Sequence, residues 1–433
     1  MISPCERRHP AAHPDPAGEL AAWAASGAMW LTGRPGAPPL GPPAGLVGKL
    51  RAVGEVVTRR TAASGTPVEL DPLAVLGERA ALAGLCRNGD TSCGGATRLL
   101  PTRDGWMAVT MARPDDVDLV PAWLQVNDAG HDLWRTVRAA LAAARGDELL
   151  ERALLLGLPA AVLPPTVPPR TLAAPPLEPL PVRARPVEST RSAPPPPELA
   201  GLLVVDLSAL WAGPLCGGLL AEAGADVVKV ESTNRPDGAR RGPTRFFDLL
   251  NAGKRAVALD LRSPEGAARL HDLLARADVV IEASRRRALA QLGIDAESLL
   301  GRGGPRVWVS ITGHGRTGRG ADRVAFGDDA AIAGGLAAWD EQGPCFCADA
   351  VPDPVAGLVA TAGVLEALAA GGRWLLDVAM AEVAAHLAGP TLAILPTGAP
   401  PDAAPPRARP TRGRAPRVGE HTDAVLTDLE GRT

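Results

Sequence analysis

Residues Gly201–Glu231 read GLLVVDLSALWAGPLCGGLLAEAGADVVKVE, and how that run divides decides the fold. Leu202–Leu207 is a short apolar run rich in β-branched residues, a glycine-proline break follows, Leu219–Ala223 returns at helical spacing, and Asp226–Val230 is a second apolar strand. The unit is strand, turn, helix, strand. Working outward, Arg255–Leu261 (RAVALDL) leads into the helical SPEGAARLHDLLARA, Asp278–Glu282 (DVVIE) follows, and Val307–Thr312 (VWVSIT) opens onto GHGRTG. Strands alternating with helices of this length predict an α/β chain with a doubly wound, mostly parallel sheet. Such sheets bind ligands at the carboxyl ends of their strands, and a nucleotide-bearing ligand is expected there.

At 433 residues and 46 % hydrophobic content, the chain can fill the cores of two or three domains. A net charge of −3 with scattered arginines gives no reason to expect a nucleic-acid partner. Cys5, Cys86, Cys93, Cys216, Cys345 and Cys347 have neither zinc-type pairing nor the density of a disulfide framework. Free thiols and no metal site are expected. MISPCERRHP lacks the apolar core of a signal peptide and no run reads as long enough to span a bilayer, so the expectation is a soluble, cytoplasmic protein with no membrane partner. Lysine occurs only at Lys49, Lys229 and Lys254 and tyrosine is absent, a compositional bias without functional meaning.

The two ends of the chain share an order of segments. From Glu19, ELAAWAASGAMWLTG is helical, RPGAPPLGPP breaks it, AGLVGKLRAVGEVVTRR is a second helix, and GTPVELDPLAVLGERAALAGLCRNG reads as a short strand and a helix. Residues 330–389 repeat helix, break, a helix containing AGLV, a strand with LD, and a helix. This predicts an internal repeat in which Ala44–Val47 matches Ala356–Val359 and Asp71 matches Asp377, while Gly41 stands where the second copy has Asp353. Between them, TRDGWMAVTMA reads as turn and strand, two helical stretches follow, and LLLGLPAAVLP is a last strand. The stretch Pro164–Glu198 is too proline-dense for helix or sheet and reads as a semi-rigid linker. A short capped helix is expected at Thr422–Leu426.

Four groups could carry chemistry. Asp353, before Pro354 and a long apolar helix, fits an N-cap with proline at N1; the helix amides there would also keep a nucleophilic carboxylate ionised. The turn Trp211–Gly218 (WAGPLCGG) lets backbone approach a phosphate or a flat ring, although it lacks the GxGxxG fingerprint and only Glu231 fits a ribose-binding acid. Lys254, Arg255, Arg262 and Arg285–Arg287 follow strand ends or turns and either converge on phosphates or remain surface charges. The glycine loop Gly313–Gly320 is either a lid or an ordinary surface turn carrying an exposed His314.

These residues resemble the class III CoA-transferases, which include formyl-CoA transferase and carnitine CoA-transferase and to which the 2-methylacyl-CoA racemases are related. The matching runs are VVDLSALWAGPLCGGLLAEAGADVVKVE, NAGKRAVALDLRSPEGAARLHDLLARADVVIEA, VWVSITGHGRTG, DPVAGL, LLDVAMAE and RVGEHTDAVL. TGRPGAPP, ELDPLAVLGE, RDGWMAV and GLPAAV resemble the family's second half and small domain, but here they precede the sheet instead of following the aspartate region.

The resemblance implies a CoA-transferase that moves CoA between an acyl-CoA and a free carboxylic acid, with Asp353 as the catalytic nucleophile passing through an aspartyl anhydride and an aspartyl-CoA thioester. It implies acyl-CoA and carboxylic acid as substrates, no permanently bound cofactor, and a homodimer. Carried over by position, Trp211 and Ala212 would lie by the CoA, Leu259, Asp260 and Arg262 with Ala283, Ser284, Arg285 and Gln291 along its adenosine-phosphate end, and Gly313 near the thioester. Gln291 stands where many members have a phosphate-binding arginine, and Ser284 where an aromatic is common. The implied organisation is a partial repeat of the aspartate-region helices over 1–84, a small α/β domain over 85–165, a proline-rich linker over 166–198, a Rossmann-like CoA-binding and catalytic domain over 199–390, and a proline-rich tail over 391–433. A 2-methylacyl-CoA racemase is the alternative, but Phe326 stands where the racemases have a histidine base. A non-catalytic acyl-CoA binding relative is the third reading.

Overall fold

The computed structural model describes residues 15–128, 130–166, 177–190, 198–284, 286–393 and 402–430. Near the N-terminus, β1 (Thr97–Thr102) and β2 (Gly105–Thr110) form an antiparallel hairpin, and β3 (Ala160–Val162) pairs antiparallel with β2. The helices Leu133–Ala143 and Gly146–Leu156 lay Val137, Leu141, Leu149 and Ala153 against Leu100, Met107 and Val109. Trp123 completes this core and donates its indole N–H to the Leu149 carbonyl at 2.9 Å, so its one polar atom is satisfied.

The remaining strands in chain order are β4 (Arg183–Pro186), β5 (Leu203–Asp206), β6 (Asp226–Ser232), β7 (Arg255–Leu259), β8 (Val279–Glu282), β9 (Val307–Thr312), β10 (Ala338–Asp340), β11 (Gly343–Cys345) and β12 (Trp374–Ala379). Apart from the β10–β11 hairpin they form one seven-stranded sheet in the order β4-β12-β9-β8-β5-β6-β7, parallel throughout except for β4. The strand order reverses at β5 and β8. Both faces are covered, as near-continuous apolar strands require: Leu203, Val205, Val228 and Val280 face the layer of Pro264–Arg276, while Val204, Val227, Val279 and Ile281 face that of Ala212–Glu222 and Pro352–Ala370.

The six expected strands of this sheet are present, the one with LD in residues 330–389 being β12. Three other expectations are corrected. The run Val68–Asp71 forms no strand, because Pro67 and Pro72 bracket it and it meets no sheet edge, so the strand expected in the first copy of the repeat is missing. The proline-dense stretch contributes β4, since the sheet's edge at β12 tolerates the prolines that flank it. Among the described residues one helix, Pro352–Ala370, is long and apolar enough to cross a bilayer, contrary to expectation, yet it is a core helix buried over most of its length. The tail helix forms as expected, over Thr422–Glu430, and its entry docks on the free edge of β7: the Thr422 hydroxyl accepts the Ala258 N–H at 3.0 Å and His421 Nδ1 accepts that of Ala256 at 3.1 Å.

The repeat-like N-terminal segment packs directly on the sheet's layer. Leu46, Val47, Leu50 and Val57 of the Leu46–Ala63 helix share one core with Val355, Leu358 and Val359. Each such side chain contributes about 1.5–3 kcal/mol when withdrawn from water. The buried Glu366 pairs with Arg59 at 2.8 Å and with Arg60, while Ala44 N–H donates to Pro390 O at 2.8 Å.

Candidate active site

The first turn after β5 is shorter than expected: Ala212 already begins the Ala212–Glu222 helix, with Trp211 as its N-cap. Its glycines serve close packing rather than a phosphate. A Cβ on Gly213 would lie 2.1 Å from Ser208 Oγ, one on Gly217 2.9 Å from Asp206 Oδ2, and one on Gly218 2.8 Å from Leu250 O. Beneath that helix, Lys254 Nζ sits 2.9 Å from Asp206 Oδ2, 2.8 Å from Pro214 O and 3.0 Å from Asn251 Oδ1. Lys229 and Asp237, both buried, pair at 2.9 Å. Neither lysine faces a ligand edge; both complete buried polar networks that fix the turn. Arg255 is likewise structural, bound to Asp226 and Asp428, and Glu231 pairs with Arg240 rather than standing free for a ribose.

The residues that the resemblance assigned to CoA follow the carboxyl ends of successive strands. Trp211 and Ala212 are buried after β5; Leu259 is buried at the end of β7, with Asp260 and Arg262 exposed beyond it; Ala283 and Ser284 follow β8, and Gln291 is exposed at the end of the next helix. Arg285 lies outside the described residues. The ends of β5 and β8 are tied together by Leu207 N–H donating to Ile281 O at 2.8 Å. Gly313, after β9, packs on Ala325, where a Cβ would approach the Ala325 Cβ to 2.5 Å.

Two residues beyond Ala325, Gly327 meets Asp353. Asp353 is the second residue of the helix Pro352–Ala370, whose N-cap is Val351, so the expected N-cap role is corrected: its carboxylate instead takes the backbone N–H of Gly327. A Cβ on Gly327 would lie 2.2 Å from Asp353 Oδ2, so only glycine leaves room for the carboxylate. One turn along the same helix, a Cβ on Gly357 would stand 2.6 Å from Ala212 O. The acid at the helix head and the start of the β5 helix are therefore neighbours, with Gly313 joined to them through Ala325–Gly327.

Three charged groups absent from the sequence reading surround Asp353. Arg79 donates Nε to Asp349 Oδ2 at 2.8 Å and a second bond to the other oxygen, and its guanidinium lies 5.4 Å over the Trp211 ring. Burial would lower the Arg79 guanidinium, but Asp349, with Asp328 and Asp353, holds it above its ordinary value. Burial pushes the Asp353 carboxyl up to about 7, aided by Asp328 and Asp349 and opposed by Arg79 and the Gly327 N–H. Burial raises Asp328 to about 6 and Asp329 to about 7; the latter accepts from Phe326 N–H at 2.9 Å and the Thr110 hydroxyl at 3.0 Å. Before Asp353 the backbone is strained: Ala348 and Ala350 have φ of 50° and 45°, a left-handed conformation costing an alanine about 1–2 kcal/mol.

His314 is not the exposed histidine expected in a surface turn. It is half-buried, with Nε2 enclosed and without a partner, and burial beside Arg323 pushes it down to about 3, so it is a neutral imidazole at pH 7. No cluster of residues able to hold a metal occurs among the described residues. A separate cleft of about 290 Å3, bordered by Leu219, Glu222, Leu249 and Arg409, includes none of the groups facing Asp353.

The site could have been found more fully from two signals: an acid four residues before Asp353, and the glycine-acid-acid run Gly327–Asp329. Arg79 carries no such local signal.

Known proteins match this chain over part of its length. The chain is 33 % identical over 228 residues to a succinate–glutarate CoA-transferase of Agrobacterium fabrum, covering 47 % of this chain and 56 % of the relative. It is 41 % identical over 121 residues to the human alpha-methylacyl-CoA racemase, covering 28 % of this chain and 29 % of the relative. A solved CAIB/BAIF family protein from Brucella suis matches at 31 % identity over 46 % of this chain and 56 % of that one, with a TM-score of 0.39. The chain spans about half the length of the curated transferases it matches first. The family model of CoA-transferase family III matches residues 199–422, more than half of the chain and the whole of the parallel sheet apart from its edge strand β4, with Asp353 inside it; the chain belongs to that family.

Proposed function

We propose that this protein is a CoA-transferase that passes CoA between an acyl-CoA and a free carboxylic acid, with Asp353 as its nucleophile. The observation that carries this reading is the carboxylate of Asp353 seated against the Gly327 N–H, a turn away from Ala212. The strand order of the sheet supports a Rossmann-like CoA-binding region whose mouth lies between β5 and β8.

In this reading an Asp353 oxygen attacks the thioester carbonyl, the carbon–sulfur bond breaks, and a mixed anhydride forms as CoA thiolate leaves. The thiolate then attacks the aspartyl carbonyl, releasing the donor acid and leaving an aspartyl-CoA thioester. The acceptor carboxylate displaces thiolate again, and thiolate attack on the acceptor's acyl carbon gives the new acyl-CoA and restores Asp353. A desolvated site suits this sequence, because water would hydrolyse the anhydride. With its acid near 7, Asp353 is ionised in good part at neutral pH and is a stronger base than an ordinary carboxylate.

The racemase alternative rests on the similarity to alpha-methylacyl-CoA racemase. It is the weaker reading, since Phe326 offers no base and burial, which pushes His314 down to about 3, leaves that imidazole only weakly basic. A homodimer belongs to the same reading by resemblance, and a cytoplasmic location by the sequence expectation. The test is exchange of isotopically labelled carboxylic acids into a panel of acyl-CoAs, beside Asp353→Asn. Label transfer by the wild type and a loss of at least about 1,000-fold in the variant are expected for a nucleophile. α-Deuterium exchange without transfer would favour the racemase, and CoA binding with neither activity the non-catalytic reading.

A further inference from the structure

The segment that delivers Asp353 is held in shape from outside its own half of the chain. Ala348 and Ala350, the two left-handed alanines, flank the fully buried Asp349. Left-handed alanines persist only where neighbouring groups over-determine them. Here those groups come from the N-terminal segments. Phe346 N–H donates to Gly89 O at 2.9 Å, Ala348 N–H donates to the Thr32 hydroxyl oxygen at 3.0 Å, and Arg79 grips Asp349 with two bonds. The Thr32 hydroxyl is itself fixed, donating to Ala28 O at 2.8 Å. On its other side the loop sets the nucleophile: Asp353 N–H donates to Ala350 O at 2.9 Å, and Ala350 O lies 2.8 Å from where a Cβ on Gly327 would stand.

We propose that Arg79 and Thr32 are positioning residues of the active site, through which the N-terminal half holds the 347–351 loop in its left-handed form and aims the Asp353 carboxylate at its target. The N-terminal half is then a working part of the site supplied by the same chain. This rests on Asp353 being the nucleophile. The charged groups that bear on Asp353 are Arg79 from the Glu78–Ala83 helix, Asp349 from the loop, and Asp328 from the Gly327–Ala333 helix. Of these only Arg79 favours the ionised form.

Two measurements made without acyl-CoA test the proposal, so either can fail while transfer stands, and transfer can fail while both succeed. In the first, the Asp353 carboxyl is followed by carbon-13 NMR against pH and assigned with Asp353→Asn. Arg79→Gln is expected to raise its midpoint by about one pH unit, and Arg79→Lys to leave it within about half a unit of wild type. An unchanged midpoint in folded Arg79→Gln overturns the proposal. In the second, Thr32→Val keeps every charge and removes only the oxygen that accepts from Ala348. Amide exchange at Ala348–Asp353 is expected to quicken by about tenfold or more, with β5–β8 unchanged. Unaltered exchange there overturns the proposal, and this arm decides alone should Arg79→Gln not fold.

Discussion

Asp353 is a case in which a residue's chemistry works against the stability of the fold. Its carboxyl is raised to about 7 in the folded chain from an ordinary value near 3.8, so between those two pH values the folded protein holds more protons than the unfolded one. Stability from this group is therefore greatest below about pH 4 and is lost as pH rises towards 7. Asp353→Asn, which cannot ionise, is expected to abolish transfer yet raise Tm at pH 8, with the gain vanishing at pH 4; scanning calorimetry at the two pH values checks this. The rate of acylation should fall as pH drops through 7, because the neutral acid is no nucleophile. The place of Asp353 at the head of a long apolar helix was legible in the sequence because VPDPVAGL is local. Its setting was not: Arg79 meets Asp349 across 270 residues, and a lone arginine in an alanine-rich helix looks like a surface charge until the two segments are brought together.

At the scale of elements, the parallel strands were readable from their β-branched runs, but the purpose of the glycines and lysines between them was not. WAGPLCGG looks like a phosphate turn, yet the same lack of side chains that would admit a ligand admits Asp206, Lys254 and the Leu250 carbonyl. Lys254→Met would leave Asp206 buried and unpaired, and a loss of about 3–5 kcal/mol in urea denaturation is expected. At the head of the Gly327–Ala333 helix, Gly327→Ala would thrust a Cβ onto Asp353 Oδ2. Transfer is expected to drop at least about 100-fold, in line with the cost of a small misplacement of reacting groups, while circular dichroism stays as in wild type. Retained activity in Gly327→Ala would mean that Asp353 does not work from this pose.

The whole molecule joins two halves that sequence alone leaves side by side. The helices at the two ends of the chain were visible, but where they meet was not, since helix pairing depends on long-range burial and not on local periodicity. Arg409 binds Glu78 at 2.5 Å, Arg34 binds Asp340 at 2.8 Å, and β4 closes the sheet beside β12 from within a proline-dense stretch. A chain starting at Leu199 would bare the apolar surface now covered by Leu46, Leu50 and Val57, and it is expected to be insoluble alone but to co-purify with co-expressed residues 1–198. Soluble, monodisperse 199–433 on size-exclusion chromatography would show the halves to be independent.

The central claim is that the Asp353 carboxylate forms a covalent acyl intermediate. The most direct measurement is incubation of the protein with acyl-CoA and hydroxylamine, followed by mass spectrometry of the peptide containing Asp353. A hydroxamate at Asp353 that depends on acyl-CoA is the predicted result; an unmodified Asp353 across a broad acyl-CoA panel, under conditions where label transfer proceeds, would contradict it.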